Sequence, residues 1–172
     1  MSTRSQASPP SAPALAALAV APLVAGTAIG LVTNAAGQPW YRRLSKPAWT
    51  PPSGVFGPVW TVLYLLMGLA LVLVVREDPG RPEPPRPRVR IALGAFATQL
   101  VLNLLWSVVF FGARRVRLAA VEIAILWTTI VATVAAFARV RPLAGAVLLP
   151  YLAWTTFAGL LNLEIARRNP ER

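Results

Sequence analysis

The chain is 172 residues long, 56% hydrophobic and 13% charged, and carries a net charge of +11 with no cysteine and no histidine. Soluble domains are about a quarter charged, so this composition, with its charges segregated from long uncharged tracts, excludes an ordinary soluble core and reads as an integral membrane protein. The missing residue types exclude disulfides, thiol chemistry and His- or Cys-based metal sites, and they remove the commonest general base.

In chain order, residues 1–13 (MSTRSQASPPSAP) are small, polar and proline-rich and predict a disordered tail. Leu15 to Thr33 carries no charge. A signal peptide competes for this run, but its apolar core is longer than the usual h-region of about 7–15 residues. The run also contains Gly26-x-x-x-Gly30, a spacing that lets two helices approach closely. Residues 34–54 form a connector rich in aromatics, cations and proline, read as a structured lid. Four further uncharged runs follow. The spans are placed at about 15–33, 55–75, 91–111, 118–138 and 143–165, each near the roughly 20 residues that cross a bilayer. The expected fold is all-α: one five-helix transmembrane domain over 14–166, with 167–172 as a tail. A β-barrel is excluded because the alternating period is missing.

The connectors differ in character. Arg76 to Arg90 (REDPGRPEPPRPRVR) reads as an exposed, semi-rigid hinge. Those at 112–117 and 139–142 are short, which makes the third, fourth and fifth spans antiparallel neighbours. The cations lie outside the uncharged runs or at their edges, where they suit lipid headgroups. No basic helix face exists apart from the spans, so nucleic acid is not an expected partner. Eight cations fall on one side of the five spans and nine on the other, so charge fixes no orientation.

The polar and aromatic residues inside the spans are patterned. Phe56, Trp60 and Tyr64 recur every fourth residue of the second span, with Leu63 and Met67 beside them. An interfacial aromatic belt would keep one depth; this stripe descends about 11 Å and is expected in the bundle interior. In the third span Gln99, Asn103, Trp106, Ser107 and Phe110 share a face. A carboxamide in hydrocarbon needs a partner, so these either bond between helices or read a ligand. In the fifth span Tyr151, Trp154, Thr155, Ala158 and Asn162 lie on one side, and the small Ala158 and Gly159 leave room beside Trp154. Three such faces under a lid match an apolar pocket with a few placed donors; plain core packing is the alternative. Trp127 of the fourth span has no such context. Glu122 near that span's start is read as structural, favoured by the helix dipole, and Glu164 as a surface ion pair with Arg167 or Arg168.

The runs W-Y-x-x-L-x-K-P-x-W-x-P-P, F-x-P-V-W-x-x-L-Y, L-N-x-x-W-S and P-Y-L-x-W-x-x-F-A-x-x-L-N, in this order over about residues 15–165, resemble the translocator protein family. Its bacterial members are called tryptophan-rich sensory proteins, and its mitochondrial member the peripheral benzodiazepine receptor. The resemblance implies a five-helix bundle, often a homodimer, that binds porphyrins, sterols and benzodiazepine-type ligands between the first loop and spans one, two, three and five. It implies a site lined by Trp60, Asn103, Trp106, Ser107, Trp154 and Ala158, with Tyr41, Pro51 and Pro52 from the lid. The expected ligand is protoporphyrin IX or haem, with no required cofactor. Lys46, Arg42 and Arg43 suit the propionates, and aromatics such as Trp49 suit the ring. A sensory, regulatory or transport role is expected. Light- and oxygen-dependent porphyrin breakdown through Trp60 and Trp154 is the enzymatic alternative, and a ligand-free membrane scaffold is a third. The sterol pattern at the end of the fifth span needs a tyrosine, whereas this chain reads LLNLEIARR.

Overall fold

The computed structural model describes residues 10–77 and 86–170, without the side chains at 34–36. The expectations for the first nine residues, for 78–85 of the charged connector and for 171–172 lie outside the described residues. The described chain is helical throughout, in an all-α bundle of α1 (Ala12–Arg42), α2 (Ser53–Val75), α3 (Pro87–Ser107), α4 (Val116–Val140), α5 (Pro142–Val147) and α6 (Leu149–Arg168). Among the described residues, five segments are long and apolar enough to cross a bilayer: Ala12–Thr33, Ser53–Val75, Pro87–Gly112, Val116–Val140 and Pro142–Arg168. The protein is therefore a multi-pass integral membrane protein. Its outward side chains, such as Val24, Val32, Ile91 and Val101, are 63–74% exposed, as lipid-facing positions are.

The helix contacts close a ring. α1 packs on α2, α2 on α5, α4 on α5 and α6, α3 on α4, and the end of the third span returns to α1. The spans thus run first, second, fifth, fourth, third around the bundle. At the α1–α2 contact a Cβ on Gly68 would collide with the Ala19 carbonyl, and one on Gly26 with the Tyr64 ring. Gly26 therefore serves packing inside the bundle. Gly94 of α3, by contrast, faces open space.

One boundary and two local features differ from expectation. α1 does not end near Thr33 but runs to Arg42, so the lid shrinks to Arg43–Pro52. Tertiary contacts hold this extension: Trp40 and Tyr41 meet Phe110 at 5.7 and 6.0 Å between ring centroids, and Tyr41 meets Phe111 at 5.7 Å. Second, α3 continues as a π turn, Val108–Gly112, closed by Ala113 N donating to Val108 O at 2.7 Å. The wider turn lets Phe110 and Phe111 both meet Tyr41 of α1, one reason such bulges occur at functional sites. The chain then reverses at Arg114 (φ 57°) into α4. Third, the fifth span is broken at Leu148 into α5 and α6, one residue before the helix-initiating Leu149-Pro150 pair.

Candidate functional site

A cavity of ≈ 610 Å³ lies between α1, α2, the end of the third span and α6. Helical periodicity builds its walls. Phe56, Trp60 and Tyr64 of α2 line it, one turn apart, with Trp106 and Ser107 of α3, Phe110 of the π turn, and Trp154 and Ala158 of α6. Tyr41 closes it from the α1 extension. The rings brace one another: Trp60 lies 5.4 Å from Tyr64, Phe56 5.8 Å from Trp154, and Trp106 stacks on Phe110 at 5.0 Å. Offset and edge contacts of this kind hold aromatic walls at fixed angles.

The remaining expected residues sit elsewhere. Gln99, Asn103 and Tyr151 are buried behind the cavity wall and do not line it. They form one chain of bonds: Tyr64 Oη donates to Asn103 Oδ1 (2.8 Å), Asn103 Nδ2 to Tyr151 Oη (3.1 Å), and Tyr151 Oη to Gln99 Oε1 (2.9 Å). The two carboxamides thus tie α2, α3 and α6 together, the interhelical alternative of the sequence reading. Asn162 does the same one layer away, accepting from Trp106 Nε1 at 3.0 Å and donating to Val116 O at 3.0 Å.

Lys46 is the clearest departure. Its Nζ donates to the carbonyls of Tyr41 (2.9 Å), Leu44 (3.0 Å) and Arg42 (3.3 Å), and stands 4.8 Å from the centre of the Tyr41 ring. It caps the negative end of α1 rather than facing the cavity. Among the described residues no charged side chain lines the cavity. Pro51 and Pro52 lead into α2 without lining it. Trp49 is half exposed and meets Phe157 edge-on at 5.7 Å, outside the wall. Arg42 and Arg43 are exposed beside Tyr41.

Free polar groups remain. Trp154 Nε1 is buried with no hydrogen-bond partner among the described residues, and Ser107, Thr27, Gln38 and Ser53 reach the cavity. Burial pushes the Tyr41 phenol above its ordinary value of 10.0, so it stays a neutral donor near pH 7. The lid is stapled over this end. Asn169 Nδ2 donates to Ser45 O at 2.9 Å, and Ser45 N donates to Asn169 Oδ1 at 3.1 Å.

The resemblance implied that span one borders the site, but sequence reasoning named none of its lining residues. Leu23, Gly26, Thr27, Gly30 and Leu31 line the cavity, yet the Gly26-x-x-x-Gly30 spacing suggests only helix approach. The signal is present in hindsight, since small residues facing a tryptophan-rich helix leave space as readily as contact. Phe111 and, lower down, Leu161 and Ile165 were likewise not singled out.

Comparison with known proteins agrees with this architecture. The profile of the TspO/MBR family matches residues 18–168. The tryptophan-rich protein TspO of Chlorobaculum tepidum is 44% identical over 131 residues, 76% of this chain and 80% of that protein. The human translocator protein is 41% identical over 133 residues, 77% of this chain and 76% of its own length. The tryptophan-rich sensory protein of Cereibacter sphaeroides is 40% identical over 134 residues, 77% and 78% of the two chains. This chain belongs to the TspO/MBR family.

Proposed function

We propose that the cavity binds a porphyrin or a related flat, hydrophobic molecule, and that the protein uses this binding in a sensory, regulatory or transport role. The observation that carries the reading is the aromatic enclosure: Trp60, Trp106 and Trp154 on three different helices surround one space of ≈ 610 Å³. That size falls within the roughly 300–1,000 Å³ of small-molecule sites. A tetrapyrrole offers two π faces to such walls. Its acidic edges would lie at the mouth, toward the exposed Arg42 and Arg43. The chain holds no histidine or cysteine, the commonest haem-iron ligands apart from methionine and tyrosine, so metal-free protoporphyrin IX is expected to bind at least as well as haem.

Titration of the detergent-solubilised protein with protoporphyrin IX tests this. Saturable quenching of tryptophan fluorescence is expected, with affinity lowered at least tenfold, about 1.4 kcal/mol, when Trp60→Phe and Trp154→Phe are combined. Linear, unsaturable quenching would leave a scaffold whose aromatics only pack. A second reading, light- and dioxygen-dependent breakdown of the bound pigment, is favoured by one observation: Trp60 and Trp154 line the same cavity. Under illumination in air, bleaching of bound pigment no faster than that of free pigment would remove it.

A further inference from the structure

A second concavity lies on the outside of the bundle, where α4 and α6 run antiparallel. It is a shallow groove of ≈ 720 Å³. Ala120 and Ala124, one turn apart on α4, form its trough, and Leu163 of α6 is part of its wall. Arg117 and Arg167 close one end, and Thr128 marks the other.

The two arginines are exposed, and neither makes an ion pair or hydrogen bond with the described residues. Their neighbour Arg168 is already paired, with Nε 2.8 Å from Glu164 Oε1. Two guanidinium groups sharing one rim with no counter-ion among the described residues favour an oxyanion, which they can bind through charge-assisted, bidentate bonds. The groove's length says what kind. From Arg117 to Thr128 the helix rises about 16 Å. Half of a hydrocarbon core of about 30 Å is about 15 Å. The groove therefore extends from headgroup level to the bilayer midplane, cationic at the top and apolar below.

We propose that the α4–α6 groove is a binding site for one anionic phospholipid, its phosphate held between Arg117 and Arg167 and an acyl chain laid along Ala120 and Ala124. A second copy of the chain fits the groove poorly. A symmetric contact about an axis along the membrane normal would bring both arginine pairs together. A sterol or a neutral lipid would fill the trough and leave the guanidiniums without an anion. This site is separate from the cavity and does not depend on what the cavity binds.

Native mass spectrometry of the detergent-released protein tests the proposal, with phosphatidylglycerol and phosphatidylcholine of identical acyl chains offered as competitors. One phosphatidylglycerol per chain is expected, with about a tenfold preference. The preference is expected to vanish in Arg117→Gln/Arg167→Gln, whose exposed positions leave folding unchanged, and to persist in Arg42→Gln/Arg43→Gln on the same side of the bundle. Ala124→Trp, which keeps both charges but fills the trough, is expected to lose the lipid. Glycerol phosphate is expected not to compete. Equal retention of the two lipids, an equal loss in the Arg42/Arg43 variant, or competition by glycerol phosphate would each overturn the proposal. So would a two-chain species that Ala124→Trp separates, which would assign the groove to a second copy.

Discussion

Lys46 donates to three carbonyls at the end of α1, so its charge is spent on the backbone before any ligand arrives. Lys46→Met keeps the stem and removes the donors. It is expected to fray the last turn of α1, seen as faster amide exchange at Arg42–Leu44, and to change porphyrin affinity less than Trp60→Phe does. Glu122 makes the opposite case. It lies in α4, 7% exposed, and neither carboxylate oxygen has a hydrogen-bond partner among the described residues. A buried, unpartnered carboxylate costs stability, which the dipole of a helix end more than a turn away does not offset. Glu122→Leu is therefore expected to raise the unfolding temperature in detergent, by about 1–3 kcal/mol of stability. A lower unfolding temperature would show that the carboxylate is held by a partner such as an internal water.

At the scale of elements, one residue of the third span, Asn103, is bonded to two neighbouring spans at once. Asn103 accepts from Tyr64 and donates to Tyr151, so Asn103→Leu strands the Tyr64 hydroxyl at a cost of about 1–3 kcal/mol and takes one of two bonds from the Tyr151 hydroxyl, which keeps Gln99. The expected result is a clear loss of thermal stability, larger than for Ser107→Ala, which has no such partners. The lid is tied down more lightly, by the reciprocal pair between Ser45 and Asn169. Asn169→Ala removes both bonds, about 0.5–1.5 kcal/mol each. It is expected to speed porphyrin release several-fold in stopped-flow displacement while leaving the unfolding temperature nearly unchanged. Legibility also varies by element. α2 and α4 could be read to within two residues because uncharged tracts end in arginine or proline. The extension of α1 to Arg42 could not, since Gly37 and Pro39 argue against a helix, and it is held by contact with Phe110 and Phe111 and by the Lys46 cap. The π turn left no compositional trace either. Its effect is visible only in how Phe110 and Phe111 both reach Tyr41.

At the scale of the whole molecule, the ring of spans leaves an internal space where aromatic faces of α2, α3 and α6 meet the small-residue face of α1. The three aromatic faces were legible from spacing alone. The fourth wall was not, because a Gly-x-x-x-Gly pattern carries no information about whether the groove beside it is filled or open. The same spacing could not separate residues that line the cavity, such as Trp106 and Ser107, from Gln99 and Asn103 on the same stretch of helix, which turn their amides to neighbouring helices. That separation depends on where Tyr64 and Tyr151 place their hydroxyls, a property of three helices at once. The central claim is that a porphyrin occupies this cavity and no other part of the surface. It is tested most directly by protoporphyrin IX binding to Ala158→Phe, which adds a ring inside the cavity and leaves every tryptophan in place. Binding at least tenfold weaker, about 1.4 kcal/mol, at an unchanged unfolding temperature is the predicted result. Undiminished affinity in a folded Ala158→Phe protein would contradict it.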